Sequence, residues 1–208
     1  MPVSMAPNPI PPGSMGRKFR VLGVDPAVSG ATGYGVIEFD GPRPNPMHFG
    51  VWRLPSRMTF AVRLREIHSL VSGLVEQFAP DAVAVESVFA ALNVGTALKL
   101  AEMRGVVLLA AAQAQIPAHS YSPREVKASV AGFGAASKQQ IQHMVRSLLN
   151  LPQVPEPADA ADALAVALCH AQALRVRDLL TPVTSQRPLA SAAAAGARMA
   201  RVFPSRAR

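Results

Sequence analysis

The feature that most constrains this chain is a pair of short apolar segments, each of which ends in a carboxylate. Residues 20–25 end in Asp25, and residues 82–86 end in Glu86. Unbroken apolar runs of this length predict strands that are buried on both faces of a sheet. A carboxylate at the end of a buried strand does not serve solubility, so both acids are candidate site residues. Asp25 can also be an ordinary turn residue, because Pro26 follows it.

A second acidic pair lies at the start of an alanine-rich helix pattern. Asp159 and Asp162 stand three residues apart, so they project from one face of the predicted helix. Carboxylates also favour the positive end of the helix dipole, and both residues can therefore simply be good helix-start residues. If two neighbouring strands end beside this helix, all four carboxylates converge. Carboxylate oxygens are ligands suited to Mg²⁺ or Mn²⁺.

The order of the remaining patterns predicts an α/β domain with a five-stranded mixed sheet flanked by helices. Three strand patterns precede the first helix pattern, and strands and helices alternate afterwards. Gly30 and Gly33 are expected to flank the turn between the first two strands. The predicted strands are 20–25, 33–39, 47–54, 82–86 and 118–121, and the predicted helices are 59–78, 94–114, 123–130, 137–149 and 158–176.

Composition limits the number of domains and the cellular setting. The chain has 208 residues, of which 50% are apolar, and this is enough for one domain with a sizeable core. The single cysteine, Cys169, excludes an internal disulfide and a cysteine-based zinc cluster, and it predicts a reducing cytoplasm. No uncharged apolar stretch reaches the ~20 residues that a membrane span needs, so no membrane partner is expected.

The two ends of the chain differ in composition from its centre. Residues 1–16 contain five prolines and no charge, and we expect a disordered N-terminal extension in which Met15 is an alternative start. Residues 179–208 are expected to form a disordered basic tail, which leaves 17–178 as the folded domain. The net charge of +8 favours a polyanionic partner, but five of those charges are arginines of the acid-free segment 182–208. The remaining +3 does not by itself identify a nucleic-acid-binding fold.

Four blocks of sequence share their order and spacing with a known family. They are Gly23-Val24-Asp25-Pro26 with Thr32-Gly33-Tyr34-Gly35-Val36-Ile37; Glu86-Ser87-Val88-Phe89 with Leu98-Lys99-Leu100 and Arg104-Gly105-Val106; Val126-Lys127, Gly132, Lys138 and Gln142-His143-Met144-Val145; and Asp159-Ala160-Ala161-Asp162-Ala163-Leu164-Ala165. Over residues 19–172 the chain thereby resembles the RuvC-type crossover junction endodeoxyribonucleases. It departs from them at Ala27, where the family commonly has Gly, and in a first loop that is one residue longer.

The resemblance implies a ribonuclease-H-like fold and a homodimer that resolves Holliday junctions in recombination and DNA repair. It assigns the roles of metal-binding and catalytic carboxylates to Asp25, Glu86, Asp159 and Asp162. Mg²⁺ or Mn²⁺, with two ions per site, is the implied cofactor. Symmetric hydrolysis of two strands of like polarity is expected to leave 5′-phosphate and 3′-hydroxyl ends. The resemblance also implies partnership with the RuvA–RuvB branch-migration complex.

Five further residues are candidate DNA contacts. Phe89 follows Glu86 closely and can stack on opened bases, or it can be a core aromatic at a strand end. Lys127 and Lys138 flank a glycine loop and can bind phosphates, although a solvated surface lysine is the default interpretation of either. The two arginine candidates, which have weaker support, are Arg124 and Arg146.

Two secondary features leave alternatives open. His143 and His170 can be ligands or bases, but we interpret them as structural or surface residues because the carboxylates already supply a site. The predicted helix 94–114 has Ala, Gly and Leu on most of its faces. That helix is therefore either buried in the monomer or part of a dimer surface.

Other functional classes compete with the nuclease hypothesis. An actin-like or sugar-kinase-like ATPase shares an early Asp and a glycine-rich turn, but it needs a second phosphate-binding half for which this chain has no room. The alternatives that stay open are a non-catalytic junction-binding module and a RuvC-like nuclease with another nucleic-acid substrate. All four carboxylates are present, which argues against a pure binding module.

Overall fold

The structure, a computed structural model, describes residues 18–40, 43–87 and 93–180. The predicted N-terminal extension and the basic tail beyond residue 180 lie outside the described residues, so the proposed division of the chain stays a prediction. The strands within the described ranges are β1 (Phe19–Asp25), β2 (Ala31–Phe39), β3 (Pro44–Arg53), β4 (Ala82–Glu86) and β5 (Ala118–Tyr121). The helices are α1 (Phe60–Phe78), α2 (Val94–Gln113), α3 (Pro123–Ala131), α4 (Lys138–Leu148) and α5 (Ala158–Leu180).

The strands form one mixed sheet in the order β3-β2-β1-β4-β5. Strands β1, β4 and β5 pair in parallel, whereas β2 runs antiparallel to both of its neighbours. The predicted five-stranded mixed sheet is thus confirmed. As a result, β1, β3, β4 and β5 all have their carboxyl ends at the same edge of the sheet.

The first turn ends earlier than expected, because β2 begins at Ala31 and not at Gly33. Gly30 lies in the turn and has a φ of +91°, as a turn glycine should. Gly33, in contrast, lies inside β2, where it pairs with Asp25 of β1. A glycine in a strand often marks the close approach of another part of the backbone, and this is its role here.

Helix α5 lies directly on the backbone of β1 and β2. A β-carbon added at Gly23 would collide with the carbonyl oxygen of Ala163, and one added at Gly33 would collide with the carbonyl oxygen of Asp159. At Gly35 the added carbon would lie 2.7 Å from Cδ2 of Leu164. The absence of side chains on this strip of the sheet therefore allows α5 to pack unusually close.

The alternation of side chains along β1 directs its carboxylate toward α5. Gly23 and Asp25 face this helix, whereas Leu22 and Val24 face the opposite side of the sheet and pack with α1 and α2. The same alternation holds along β4, where Ala84 faces α5 and Val83 and Val85 face α1 and α2.

Local capping signals define the helix starts near this edge. Ser137 caps α4 and forms a reciprocal capping box with Gln140, in agreement with the predicted N-cap. Ser122 and Glu125 form a similar box at the start of α3, where Pro123 occupies the first turn. Helix α5 continues to Leu180, four residues beyond the predicted end. Within the described residues, no helix is long and apolar enough to cross a membrane.

Candidate metal centre

Three aspartates come together at the carboxyl edge of the sheet. Asp25 is the last residue of β1, and Asp159 and Asp162 lie in the first turns of α5. One carboxylate oxygen from each residue lies within 4.8 Å of the other two, and all three side chains are half-buried. A group of hard oxygen donors with this spacing can hold a divalent metal ion.

Glu86 lies beside this group at the end of β4. Val24 pairs with Val85 in the parallel register, so the next residues, Asp25 and Glu86, are neighbours across the two strands. Together with Asp162 they line a cavity of about 200 Å³. Among the described residues, the group that meets the 4.8 Å spacing contains the three aspartates without Glu86. Glu86 therefore belongs to the same cavity but stands apart from the tightest part of the cluster.

Burial and mutual repulsion govern the charge of Asp25. Its pKa is raised well above the ordinary value, first by burial and then by the negative charges of Glu86, Asp162 and Asp159. The positive charge of Lys138 acts in the opposite direction. Without a cation, the Asp25 carboxylate thus holds its proton far more strongly than an exposed aspartate does.

Glu86 responds in the same way. Burial and the Asp162 charge raise the pKa of Glu86 from 4.5 to about 7, and the charges of Lys127 and Lys138 partly oppose this rise. Burial and neighbouring negative charges make these two acids hard to ionise. A bound cation would offset both effects, so the acids would ionise and act as ligands.

Lys138 forms an ion pair with one of the carboxylates and is partly exposed to solvent. Its Nζ lies 2.8 Å from Oδ2 of Asp162, while its side chain remains 55% exposed. The hydrogen bond to Asp162 is the largest cause that raises the pKa of Lys138, so the ammonium form persists. Lys127, on α3, lines the same cavity. Both lysines are placed where an anionic substrate would approach the carboxylates.

Comparison with known proteins decides the family. A family model described as crossover junction endodeoxyribonuclease RuvC matches residues 21–170. A crossover junction endodeoxyribonuclease RuvC from Desulforamulus reducens is 45% identical over 152 residues, which are 73% of this chain and 93% of the relative. The chain belongs to the RuvC family. The resemblance found in the sequence is therefore confirmed.

Solved RuvC structures share the fold. Thermus thermophilus RuvC superposes with a TM-score of 0.70 at 36% identity, covering 77% of this chain and 98% of that one. A structure of T. thermophilus RuvC in complex with a Holliday junction substrate gives 0.69 at 33% identity, covering 76% and 96%. These matches confirm the ribonuclease-H-like fold predicted for the chain.

Two of the DNA-contact candidates of this RuvC-family chain, Arg124 and Arg146, do not line the carboxylate cavity. Arg124 is exposed on α3 and packs against the backbone of Gly134. Arg146 is in the last turn of α4, where its Nε donates a hydrogen bond of 3.4 Å to the carbonyl oxygen of Leu151. Neither arginine is among the residues lining the carboxylate cavity. Phe89 lies outside the described residues, and the DNA roles of all five candidates stay predictions.

The two histidines also lie outside the lining of the carboxylate cavity. His143 is exposed on α4. His170 is almost completely buried, and its Nδ1 shares a hydrogen bond of 2.7 Å with the hydroxyl of Tyr121. These positions agree with the interpretation of both as surface or structural residues.

Sequence analysis missed a second cavity at the same edge of the sheet. It has a volume of about 550 Å³, and its lining includes Arg53, Arg63 and Lys99. The available signal was weak, because the three cations lie on separate elements and each resembles an ordinary surface residue. Helical spacing alone does give one hint, since Arg63 lies on the same face of α1 as the core residue Ile67.

Proposed function

We propose that this RuvC-family chain is a Holliday junction resolvase, a structure-selective endonuclease of recombination and DNA repair. It hydrolyses two strands of like polarity in a four-way DNA junction and leaves 5′-phosphate and 3′-hydroxyl ends. The observation that carries this proposal is the group of aspartate oxygens within 4.8 Å of one another, beside Glu86. The T. thermophilus relative solved with a Holliday junction substrate supports the same substrate class.

Mg²⁺ is the proposed cofactor, with Mn²⁺ as a substitute and two ions per site. The donor set fits this choice, because the ligand groups that the described residues bring to the cluster are carboxylates and include no sulfur. Asp25, Asp159 and Asp162 would hold the ions, and Glu86 would complete the set. Bound ions of this kind lower the pKa of water and stabilise negative charge on phosphate oxygens.

The residues of the chain contribute in two ways. The four carboxylates must be ionised in order to hold cations, so Asp25 and Glu86 release protons when the site is loaded. Lys127 and Lys138 present positive charge at the cavity and orient the scissile phosphate there. They also stabilise the additional negative charge that develops on the phosphate during hydrolysis.

A homodimer follows from the symmetry of the proposed reaction. Two nicks related by the two-fold axis of a junction need two sites related in the same way. Helix α2 offers apolar surface for such an interface, since Val94, Leu98 and Leu109 are 75%, 59% and 51% exposed. Partnership with RuvA–RuvB and a cytoplasmic setting are proposed from family resemblance and cysteine content.

The decisive experiment uses a synthetic four-way junction and a linear duplex of the same sequence, each with and without Mg²⁺. We expect paired, symmetric nicks in the junction, only with Mg²⁺, and ligatable products. Glu86→Gln should reduce cleavage by at least about 1,000-fold, the scale of losing one essential group, while junction affinity stays near that of the wild type.

Two outcomes would favour the alternatives. Equal cleavage of linear duplex or single strands would indicate a RuvC-like nuclease with another substrate. Junction binding without cleavage by the wild-type chain, with either Mg²⁺ or Mn²⁺, would indicate a binding module.

A further inference from the structure

The larger cavity, called here the basic cavity, lies at the same sheet edge as the carboxylates, on the side of β3. The loop between β1 and β2, the end of β3, the start of α1 and the residue Lys99 of α2 enclose it. Arg53, Arg63 and Lys99 contribute three positive charges to its lining, and none of the described residues that line it is acidic. A concave surface with one sign of charge concentrates ligands of the opposite sign.

Arg63 is the most informative residue of the basic cavity. Its side chain is buried, with the whole residue only 8% exposed, although it carries a permanent charge. Its Nη2 donates a hydrogen bond of 3.3 Å to the carbonyl oxygen of Pro55. In the described part of the chain, no carboxylate lies within ion-pair distance of Arg63. A buried cation without a counter-ion is costly, which indicates that an anion from outside completes this site.

The other two cations are equally available to a ligand. Arg53 and Lys99 are exposed, and neither has an ion-pair partner among the described residues. The Nζ of Lys99 stands 5.8 Å from the centre of the Phe60 ring, a cation–π distance that orders the lysine beside the cavity. Phe60 is also the first residue of α1, so the positive end of that helix dipole adds to the field.

The position of the basic cavity relates it to the carboxylates. The loop that leaves Asp25 at the end of β1 reaches the cavity at Val28 and Gly30. Strand β3, which ends in Arg53, is two strands away from β1, or about 10 Å at the usual strand spacing. One DNA strand advances about 3.4 Å along the helix axis for each phosphate, so a phosphate in the basic cavity would lie within a few nucleotides of one at the carboxylates.

We propose that the basic cavity binds a backbone phosphate of the junction, a few nucleotides from the phosphate that is cut. This inference rests on the proposed function and deepens it by identifying a second DNA-binding point on the same strand or arm. Arg63 supplies the fixed central charge, and Arg53 and Lys99 close on the phosphate from the two rims. Phosphate binding of this type sets register and affinity rather than sequence preference.

The test measures how junction affinity depends on salt, with the full chain and without divalent cations, so that no strand is cut. The double variant Arg53→Gln with Lys99→Gln removes two exposed charges. Its log–log plot of affinity against salt concentration should be shallower by about 1, since the single phosphate that the cavity neutralises adds about 0.9 to the slope. At 0.1 M salt, the same slope corresponds to roughly eightfold weaker binding for each phosphate charge that is no longer neutralised.

Arg65→Gln is the control, because it removes one positive charge from α1, as Arg63→Gln does, but outside the basic cavity. Arg65 lies outside the lining of the basic cavity, and its guanidinium is 2.6 Å from Glu66. Its salt slope should equal that of the wild type. If the double variant also keeps the wild-type slope while the wild type binds the junction, the cavity assignment is wrong and the proposed function stands. If the wild type does not bind the junction, the proposed function fails, and this inference fails with it.

Arg63→Gln tests the buried charge separately from folding. We expect a shallower salt slope by about 1 in a protein whose thermal unfolding is checked in parallel. A lower melting temperature with an unchanged slope would show that Arg63 only braces the loop at Pro55, which would overturn its assignment.

Discussion

The two faces of the central sheet are packed in different ways. On the face of α1 and α2, bulky side chains such as Leu22, Ile67 and Met103 fill the space between sheet and helices. On the face of α5, glycines of β1 and β2 contact the helix backbone itself. On the first face, large side chains separate α1 and α2 from the sheet. On the second face, glycines without side chains allow α5 to lie close to the strands.

This difference separates stability from site geometry. The carboxylates of β1 and β4 point to the α5 face, where the position of Asp159 and Asp162 depends on how closely α5 approaches the sheet. The opposite face buries most of the large apolar side chains and contributes no carboxylate to the cluster. Changes on the two faces should therefore affect different properties, and four measurements can test this.

The largest effect is expected from Gly33→Ala. The added carbon would collide with the Asp159 carbonyl oxygen, and a backbone atom cannot yield as a flexible side chain does. Displacement of α5 by about 1 Å would separate the ligands and reduce cleavage by at least about 100-fold. Overpacking should also lower the free energy of unfolding by about 1–3 kcal/mol. Cleavage assays and chemical denaturation measure the two effects, and unchanged cleavage would refute the close-packing argument.

Ile67→Ala should affect stability alone. Ile67 is fully buried on α1, and the cavity left by truncation should cost about 2–5 kcal/mol of unfolding free energy. Well below its melting temperature, the variant should cut a junction at the wild-type rate, because α5 is not disturbed. Ile67→Val, which removes one methylene, should cost about 0.5–1.5 kcal/mol. Loss of cleavage in a folded Ile67→Ala protein would show that the two faces are coupled.

The dependence of stability on pH tests the charge state of the carboxylates on the α5 face. Because the pKa of Glu86 is raised from 4.5 to about 7, the folded cation-free chain binds more protons than the unfolded chain between these values. Through Glu86, stability should be greatest at the acidic end and fall by up to about 3 kcal/mol as pH rises toward 7, and Asp25 should add to this fall. Thermal unfolding without divalent cations measures this slope, and Mg²⁺ at a pH of about 7.5 should raise the melting temperature.

The matched variants for this series are Glu86→Gln and Glu76→Gln. The first should make the dependence shallower without abolishing it, because the pKa of Asp25 is raised as well, whereas the second removes an exposed carboxylate of α1 and should retain the full dependence. Equal slopes in both variants would exclude Glu86 as the source.

The smallest effect is expected from Gly73→Ala on the opposite face. A β-carbon at Gly73 of α1 meets no atom within 4 Å, and alanine favours a helix over glycine by about 1 kcal/mol. The variant should therefore be slightly more stable and fully active. Together with Gly33→Ala, it tests whether the glycines near α5 differ from a helix glycine in open space.

Much of the fold could be predicted from local signals. The limits of β4 and β5 agree with prediction, because Pro80 and Pro117 stand just before the two strands and mark where they can begin. The start of β2 was predicted two residues late, at Gly33 rather than Ala31, because local sequence treats glycine as a turn signal, whereas the residue that Gly33 contacts, Asp159, lies far away in the chain. Close approach between distant elements has no local signature.

The candidate site was partly predictable for the same reason. A carboxylate at the end of a buried strand is visible in the sequence, as are two acids at one helix start, and these residues do meet in space. That β1 and β4 are neighbours was a condition of the hypothesis, which no local pattern could establish and which the parallel pairing of the two strands meets. The basic cavity could be recognised only in the structure, because a buried arginine such as Arg63 looks like a surface residue in the sequence.

The ion pair between Lys138 and Asp162 has a consequence for the order of assembly. An acidic pocket would ordinarily repel a polyanion, but here the ammonium of Lys138 and the raised pKa values of Asp25 and Glu86 reduce the negative charge of the pocket. Under the proposed function, DNA would therefore be able to bind without a metal ion already in place, and Lys138 would be positioned to contact its phosphate.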